Sequence, residues 1–191
     1  MADASLADEA AWVEGLRRAD PGAFDAVYAH YRPRIFSFLA RLTGTRALAE
    51  DLMQETFLRL ARRARDLDPA TRLAPFLFTV ARNLAYDHRR WARLDRSRLT
   101  EVARDAGGRG HGGATPFDLT QASETQRALE AALARLPARL REALLLVVVE
   151  GLAPAEAAAV LRIREPALRQ RLARGRAMLR GALARGQGDE R

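Results

Sequence analysis

The chain has 191 residues, and its 32 basic residues outnumber its 24 acidic ones to give a formal net charge of +8. Every one of those bases is arginine, and such an excess points to phosphate-bearing partners such as nucleic acids. With 48% hydrophobic residues and no cysteine, the composition excludes disorder throughout, disulfides, thiolate metal sites and cysteine nucleophiles. The longest apolar run, residues 143–149, is far shorter than the ~20 residues that cross a bilayer, and the acidic start MADASLADEA lacks the parts of a signal peptide. We therefore expect a soluble, cytoplasmic protein without membrane insertion.

The first half of the chain predicts helices, because its apolar residues recur at helical spacing and nowhere alternate for long enough to make a strand. The predicted helices cover about 8–18, 23–42, 45–66 and 73–94, and turn residues such as Asp20-Pro21-Gly22 separate them. Pro33 is expected to kink or interrupt the second helix, since proline lacks an amide hydrogen. Thr45 is expected to cap the third helix.

The fourth predicted helix combines aromatic residues with arginines. Aromatic rings can stack unpaired bases while arginines hold the backbone, which is how single-stranded nucleic acid is bound. Phe76, Phe78 and Tyr86 are equally consistent with an ordinary helical core, which is the commoner use of such residues. Trp91, beside Arg89 near the helix end, is the better candidate for an exposed role.

The middle of the chain predicts a flexible linker over 95–122, because it contains GGRGHGG at 107–113 and little apolar material. A helix capped by Ser123 is expected to run to Leu136, and a second to extend from Ala138 to about Glu150. The β-branched run 144–149 is interpreted as buried helix, since it lies within a helix-length window. Residues 186–191 are expected to form a disordered tail.

Two short helices opening at Pro154 and Pro166 predict a helix-turn-helix, because only 162–165 separate them. Between 162 and 185 there are eight arginines and one acid. On the second helix, the residues expected to face inward are Leu168, Leu172, Gly175, Leu179 and Ala182, and those expected to face outward are Gln170, Arg171, Arg174 and Met178, with Arg169 and Arg176 on the flanks. Such a face suits a DNA major groove, where arginine and glutamine contact base edges. A solvated arginine-rich face is the alternative, but unopposed like charges repel each other unless a polyanion meets them.

No catalytic, metal or cofactor site is predicted. Glycines at 108, 110 and 113 match a dinucleotide fingerprint formally, but no strand precedes them. The three histidines are far apart in sequence and have no carboxylates at ligand spacing. Glu50, Asp51 and Glu55 share one helix, but nothing places a partner with a raised pKa beside them. We predict a protein that is not an enzyme.

The order of these elements resembles a known family. AFDAVYAHYRPRIFSFLARLTG (23–44), AEDLMQETFLRLARRA (49–64) and APFLFTVARNLAYDHRRW (74–91) resemble conserved region 2 of the extracytoplasmic-function (ECF) sigma factors, within the sigma-seventy family of bacterial RNA polymerase. LPARLREALLLVVVEGLAPAEAAAVLRIREPALRQRLARGRAML (136–179) resembles their region 4. These segments span nearly all the chain except its ends and linker.

The resemblance implies an all-α protein of two helical domains. Residues 1–94 would form region 2, 95–122 the linker, 123–185 the region 4 helix-turn-helix and 186–191 a tail. Such a protein binds core RNA polymerase, directs it to specific promoters and helps to open the duplex. An anti-sigma factor is expected, as a property of the family, to hold it inactive.

The resemblance also assigns roles to residues. The surface for the β-prime clamp of the polymerase would be Asp51, Gln54, Glu55 and Leu58. The single-stranded downstream promoter element would contact the turn 67–72 and the fourth helix, through Arg72, Arg82, Asn83, Asp87, Arg89, Arg90 and Trp91. The upstream element would contact Arg164, Arg169, Gln170, Arg171, Arg174 and Arg176, and the β flap of the polymerase is a further expected partner.

The chain departs from the family pattern in the helix-turn-helix. The family usually has glycine where this chain has Arg162, and commonly a small hydroxyl residue followed by Thr-Val-Lys where this chain has Arg164 and Ala167-Leu168-Arg169. Arginine for lysine keeps the charge but not the hydrogen bonding, so the upstream sequence preference is expected to be atypical. A non-initiating protein, either an ordinary helix-turn-helix regulator or a sigma-like decoy for a regulatory partner, is the alternative function.

Overall fold

The computed structural model describes residues 6–100 and 123–186, and within these ranges it contains helices and no strand. The front domain comprises α1 (Leu6–Arg17), α2 (Pro21–Thr43), α3 (Arg46–Arg63), a 3₁₀ turn (Ala64–Asp66) and α4 (Leu73–Thr100). The rear domain comprises α5 (Glu124–Arg135), α6 (Ala138–Leu144), a π-helical turn (Leu145–Val149), α7 (Pro154–Leu161) and α8 (Glu165–Gly186). The fold class is all-α, as the sequence predicts.

Several helix ends follow directly from local chemistry. The Asp20 carboxylate accepts a hydrogen bond from the Gly22 amide at 2.9 Å and Pro21 opens α2, which is the usual arrangement of an N-cap followed by proline. The Ser123 hydroxyl accepts from the Gln126 amide at 3.2 Å, so the predicted cap of α5 is confirmed. Thr45 occupies the N-cap position of α3, but its side chain makes no capping hydrogen bond.

Two expectations about the helices of the front domain are answered by the structure. Pro33 was expected to kink or interrupt α2, and it does not interrupt it, because α2 continues from Pro21 to Thr43. The fourth helix runs to Thr100, beyond the predicted end near Leu94. The predicted linker lies mostly outside the described residues, which resume at 123, and 187–191 of the predicted tail also lie outside them.

The front domain is built around α2, which packs against α1, α3 and α4. Its buried face carries Val27, Tyr31, Ile35, Phe38 and Leu39, at the spacing of one helical stripe. The helices α1 and α2 approach so closely that a Cβ added to Gly15 would lie 2.4 Å from the Ala23 Cβ. A glycine is therefore needed at this crossing.

The apolar run in the rear domain is not fully buried, contrary to the prediction. Leu144, Leu145 and Leu146 are buried, but Val148 and Val149 are 58% and 48% exposed. The cause is the π-helical turn, in which the Glu150 amide bonds the Leu145 carbonyl, five residues back, at 2.9 Å. The wider turn changes which side each following residue faces, so the end of the run turns outward.

The predicted helix-turn-helix is present as α7 and α8. The chain leaves α7 at Arg162, whose φ of 53° and ψ of 47° lie in the left-handed region, and re-enters helix at Glu165. Leu168 and Leu172 are buried on α8, and Leu179 is half-buried. This packing confirms the inward stripe predicted for this helix.

The two domains pack against each other in this structure. Buried residues of α1–α4 and of α5–α8 belong to one continuous apolar cluster, and α4 contacts α7 while α2 contacts α6. No described helix combines the length and the apolar composition needed to traverse a bilayer.

Candidate nucleic-acid and polymerase interfaces

The outward side of α8 carries most of the residues predicted for duplex DNA. Arg164, Arg169, Gln170, Arg174 and Arg176 are all exposed. Arg164 lies in the turn just before α8, and Arg169, Gln170 and Arg174 lie on the N-terminal half of α8, which is the part of a recognition helix that contacts base edges. The arginine guanidinium groups can donate paired hydrogen bonds to guanine or phosphate, and the Gln170 amide can contact adenine.

Arg171 is the exception among the predicted duplex contacts. The sequence pattern predicts that it faces outward, but its side chain is 22% exposed and its Nη1 lies 3.4 Å from Oε1 of Glu142. Arg171 is therefore directed toward α6 and the front domain. On an isolated helix a residue at this position would face solvent. In this structure the Arg171 side chain is directed at Glu142 of the neighbouring α6.

The outer end of α4 exposes a second group of predicted DNA contacts. Trp91 is 63% exposed, and Asp87 and Arg90 are also exposed. Asn83 is half-buried, and Arg89 donates from Nη2 to the Leu42 carbonyl at 3.1 Å. An exposed indole beside guanidinium groups has the composition of a base-stacking surface.

Arg82, from the same predicted set, lies at the interface between the domains. Its Nε is 2.9 Å from Oε2 of Glu142, and the exposed fractions of the two side chains are 14% and 0%. The Tyr86 hydroxyl donates to the same carboxylate at 3.0 Å, and the Arg82 guanidinium lies 4.6 Å from the centre of the Tyr86 ring. Glu142 of the rear domain thus holds two side chains of α4.

Arg72 also links the two domains. Its Nε is 3.0 Å from Oε2 of Glu9 in α1, and its Nη2 is 3.3 Å from Oε1 of Glu156 in α7. Its side chain remains half exposed. The same Glu9 carboxylate accepts a hydrogen bond from the Tyr31 hydroxyl at 2.5 Å, so Arg72 is positioned by both the front and the rear domain.

Sequence reasoning missed the acidic partners of these arginines. Besides Glu142 and Glu156, Glu130 pairs with Arg41 at 2.6 Å and Glu150 pairs with Arg34 at 3.1 Å. The partners are separated by 29 to 116 residues, so no local pattern connects them. The only usable indication was the placement of glutamates among the apolar positions of α5 and α6.

Burial changes the ionisation of two groups at this interface. Desolvation raises the pKa of Glu150 above its ordinary value, and the hydrogen bond and charge of Arg34 act in the opposite direction. Burial also raises the pKa of Tyr86, and the adjacent Glu142 charge adds to that rise. Both effects show that these groups are removed from bulk water.

The predicted clamp surface lies on α3 of the front domain. Asp51, Gln54 and Leu58 are exposed, and Leu58 is 51% exposed. Their spacing of three and four residues places them on one stripe with Glu55. Beside the stripe, α2 and α3 enclose a groove of about 880 Å³, lined by Tyr28, Phe36 and Met53 and by the charged Arg32, Arg46 and Glu50.

A second apolar groove lies in the rear domain, between α5 and α8. It has a volume of about 520 Å³ and is lined by Ala132, Leu136, Met178 and Ala182, among others. Met178 is 46% exposed. Within the described residues, no group of three or more His, Asp or Glu side chains is arranged to hold a metal ion.

Comparison with known proteins decides the family. The sigma-70 region 2 model matches residues 27–94, and the sigma-70 region 4 model matches 126–179. The chain is 37% identical over 174 residues to the RNA polymerase sigma factor CarQ of Myxococcus xanthus, covering 90% of this chain and 95% of CarQ. It is 32% identical over 166 residues to the ECF RNA polymerase sigma factor SigM of Bacillus subtilis, covering 87% of this chain and 98% of SigM. This chain belongs to the ECF sigma factors.

This sigma factor therefore directs core RNA polymerase to specific promoters and initiates transcription there, with promoter DNA as its second partner. A solved relative is the sigma factor RpoE of Bartonella quintana, in complex with the anti-sigma factor NepR. The TM-score is 0.65 at 25% identity, and the match covers 84% of this chain and 96% of that one. The fold of RpoE agrees with the two-domain arrangement described above.

Proposed function

We propose that the two ends of this sigma factor contact the promoter at different places while α3 holds the polymerase. The exposed stripe of α3 (Asp51, Gln54, Glu55, Leu58) binds the β-prime clamp, and the rear domain contacts the β flap. Region 2 occupies 1–94 and region 4 occupies 123–185. The protein acts in the cytoplasm, beside the polymerase, and has no enzymatic activity of its own.

The observation that carries this proposal is the exposed α3 stripe. The apolar Leu58 at its C-terminal end is half exposed, and two carboxylates and an amide lie on the turns before it. An apolar contact within a polar rim is typical of protein interfaces. The acids suit a basic partner surface, and the groove between α2 and α3 offers room for side chains of that partner.

Binding to the clamp is tested by replacing Leu58 with Asp. Because Leu58 is exposed, the substitution leaves the fold intact but places a charge at the apolar contact of the stripe. We expect the affinity for a purified β-prime clamp fragment to fall by at least 2 kcal/mol, the usual loss at a central contact residue. Val148→Asp is the matched control, since Val148 is similarly exposed but lies in the rear domain. Equal affinity of the two variants for the clamp fragment would show that α3 is not part of the interface.

The DNA contacts are proposed for two separate surfaces. On α4 and the preceding turn, Arg72, Arg82, Asn83, Asp87, Arg89, Arg90 and Trp91 hold the melted downstream element. On α8, Arg164, Arg169, Gln170, Arg171, Arg174 and Arg176 bind the upstream duplex. Extruding a base costs a few kcal/mol of stacking, and the Trp91 indole with its neighbouring guanidinium groups offsets part of that cost.

Run-off transcription with core polymerase and a promoter library tests the initiating function directly. We expect a specific transcript above core polymerase alone on a subset of templates, and Trp91→Ala should reduce it without reducing duplex binding. No specific transcript on any template would instead favour a decoy that captures a regulatory partner.

Control by an anti-sigma factor is part of the proposal. The relative RpoE was solved with its anti-sigma factor NepR, and the exposed grooves of both domains are surfaces that such a protein could cover. Co-purification of this chain with proteins of the cell in which it is made tests the point, and the expected partner should suppress the run-off transcript.

A further inference from the structure

A buried carboxylate of the front domain, Glu9 of α1, has no role among the proposed DNA contacts. Its Oε1 accepts a hydrogen bond from the Tyr31 hydroxyl at 2.5 Å, and its Oε2 accepts one from Arg72 Nε at 3.0 Å. A carboxylate removed from water needs such partners, because an unpaired buried charge is strongly unfavourable. Both oxygens of Glu9 are therefore held in place, one by the core and one by a residue of the proposed promoter surface.

The Tyr31 side of this group is anchored in the core of the front domain. Tyr31 is buried, and its ring packs edge-on against Trp12 of α1 and His30 of α2, with ring centres 6.4 and 4.7 Å away. The Arg34 guanidinium lies 5.3 Å from the centre of the same ring. Close-packed rings keep their positions, so the Tyr31 hydroxyl stays directed at Glu9 and fixes the carboxylate from within the domain.

The Arg72 side of the group lies at the surface, at the end of the turn 67–72. The backbone of this turn is held by Asp68, whose carboxylate accepts a hydrogen bond from the Ala70 amide at 2.8 Å. The Arg72 carbonyl accepts from the Phe76 amide of α4 at 3.2 Å. The backbone on both sides of the arginine is therefore ordered, and the orientation of its guanidinium depends on the partners of the side chain.

Glu9 determines which part of the Arg72 guanidinium is available to a ligand. Glu9 accepts from Nε, and Nη2 lies 3.3 Å from Oε1 of Glu156 on α7. The Glu9 side chain is 8% exposed and that of Glu156 is 22% exposed, so water screens the contact with Glu9 less. Nη1 has no partner among the described residues, and the arginine side chain is half exposed. Arg72 thus keeps donors for a ligand while Glu9 fixes the orientation of its plane.

We propose that Glu9 and Tyr31 are positioning residues for the downstream promoter element, and that they act through Arg72. A flexible arginine side chain loses rotamer freedom when it binds a ligand, and this loss weakens binding. Glu9 orders Arg72 before DNA arrives, so the binding step no longer includes that loss. A guanidinium of fixed orientation also discriminates among the acceptor patterns of the bases. The proposal rests on the proposed downstream role of Arg72.

Selection from a single-stranded DNA library of random sequence tests this proposal. The full chain, alone and with core polymerase, binds the library, and sequencing before and after binding gives the base preference at each position. We expect Arg72→Ala to abolish the preference at one position. Glu9→Gln should weaken the preference at that same position by about threefold to tenfold, the range expected for ordering one side chain, because a neutral amide holds a guanidinium less firmly than a carboxylate does.

A double-mutant cycle separates positioning from a purely structural role. In the Arg72→Ala background, Glu9→Gln should have no further effect on the preference, whereas a loss of stability would reduce the binding of every sequence alike. Glu14→Gln is the matched control and should leave the preference unchanged, because Glu14 is a half-exposed glutamate of α1 paired with Arg17 of the same helix. Tyr31→Phe removes only the hydroxyl and should weaken the preference at the same position, so it replaces Glu9→Gln if circular dichroism shows that variant to be unfolded.

The inference is overturned if Glu9→Gln leaves the preference unchanged, lowers the binding of all sequences equally, or has the same effect with and without Arg72. It is also overturned if Arg72→Ala changes the preference at no position. Run-off transcription separates this inference from the proposed function. A transcript with a preference that does not respond to Glu9→Gln overturns only the positioning role, whereas a responsive preference without any transcript overturns only the initiating function.

Discussion

Three arginines of the front domain and two of the rear domain have opposite surroundings, although the residue type is the same. Arg34, Arg41 and Arg82 of the front domain are 14% to 15% exposed, and each pairs with a glutamate of the rear domain. Arg169 and Arg174 of the rear domain are exposed on α8. A surplus of positive charge therefore does not by itself mark a nucleic-acid surface, because the position of the acids decides which arginines remain available.

The comparison also separates two kinds of ion pair within one chain. The buried Arg82–Glu142 pair has 14% and 0% of its side chains exposed, whereas Arg46–Glu50 on α3 has 61% and 44% exposed. Exposed pairs of this kind contribute little because water and salt screen them. Removing one member of a buried pair is costly, since the other charge is left without a partner away from water.

The largest expected effect is therefore that of Glu142→Ala. It leaves Arg82, Arg171 and the Tyr86 hydroxyl without their common acceptor, and we expect the free energy of unfolding to fall by about 3 kcal/mol. Urea denaturation followed by circular dichroism measures the loss. Glu50→Ala, which removes an exposed pair of similar length, should cost no more than about 0.5 kcal/mol. Similar losses for the two variants would mean that burial does not distinguish the pairs.

The arginines of α8 provide the next test, through their different exposure. Arg174→Ala should weaken binding to the upstream duplex by about 1 to 3 kcal/mol if its side chain contacts a base, and should relax the preference at one position. Arg171→Ala should show a smaller loss, because Glu142 of the same domain holds the Arg171 side chain away from the exposed face of α8. Fluorescence anisotropy with duplex variants distinguishes a base contact from a phosphate contact, which would give a uniform loss.

Two glycines of the front domain should respond differently to a methyl group. Gly15→Ala places a Cβ 2.4 Å from the Ala23 Cβ, and the resulting overpacking should lower the free energy of unfolding by about 1 to 3 kcal/mol. Gly22→Ala meets only the Asp20 carboxylate, at 3.4 Å, and should be neutral or slightly stabilising. Thermal unfolding of both variants measures the difference, and equal melting temperatures would contradict the close approach of α1 and α2.

The smallest expected effect belongs to the turn between α7 and α8. Arg162 adopts φ 53°, where a side chain costs about 1 kcal/mol relative to glycine. Arg162→Gly should therefore raise the stability of the rear domain by up to about 1 kcal/mol in urea denaturation. Gly151→Ala, at φ 71°, should lower the stability of the rear domain. Changes of the same sign for the two variants would contradict the left-handed backbone at these positions.

Helix positions and the inward stripe of α8 were predictable because they depend on neighbours within a few residues. Asp20, Pro21 and Ser123 fix helix starts through local hydrogen bonds and a missing amide, and Leu168 and Leu172 repeat at helical spacing. The exposure of Trp91 near the end of α4 was also predictable, since its neighbours are charged.

The direction of Arg171 and the burial of Arg82 were not predictable from local pattern. Both depend on Glu142, which lies 60 residues after Arg82 and 29 residues before Arg171 in sequence. Pro33 within α2 is a different case, because tertiary packing of the long α2 outweighs the missing amide hydrogen. Local chemistry determines where helices begin, whereas contacts between domains determine which charges reach solvent.

The π-helical turn of the rear domain has a geometric consequence for the acids on either side of it. Glu142 and Glu150 are eight residues apart, and in a regular α-helix the second would be rotated by about 80° from the first, whereas a separation of seven leaves only about 20°. The widened turn at 145–149 absorbs one residue, so the two carboxylates come into phase and both point at the front domain. A single-residue deletion within this turn would restore a regular helix with a separation of seven, and Glu150 would remain directed at Arg34. The widened turn therefore accommodates an additional residue without changing how the two halves of the molecule meet.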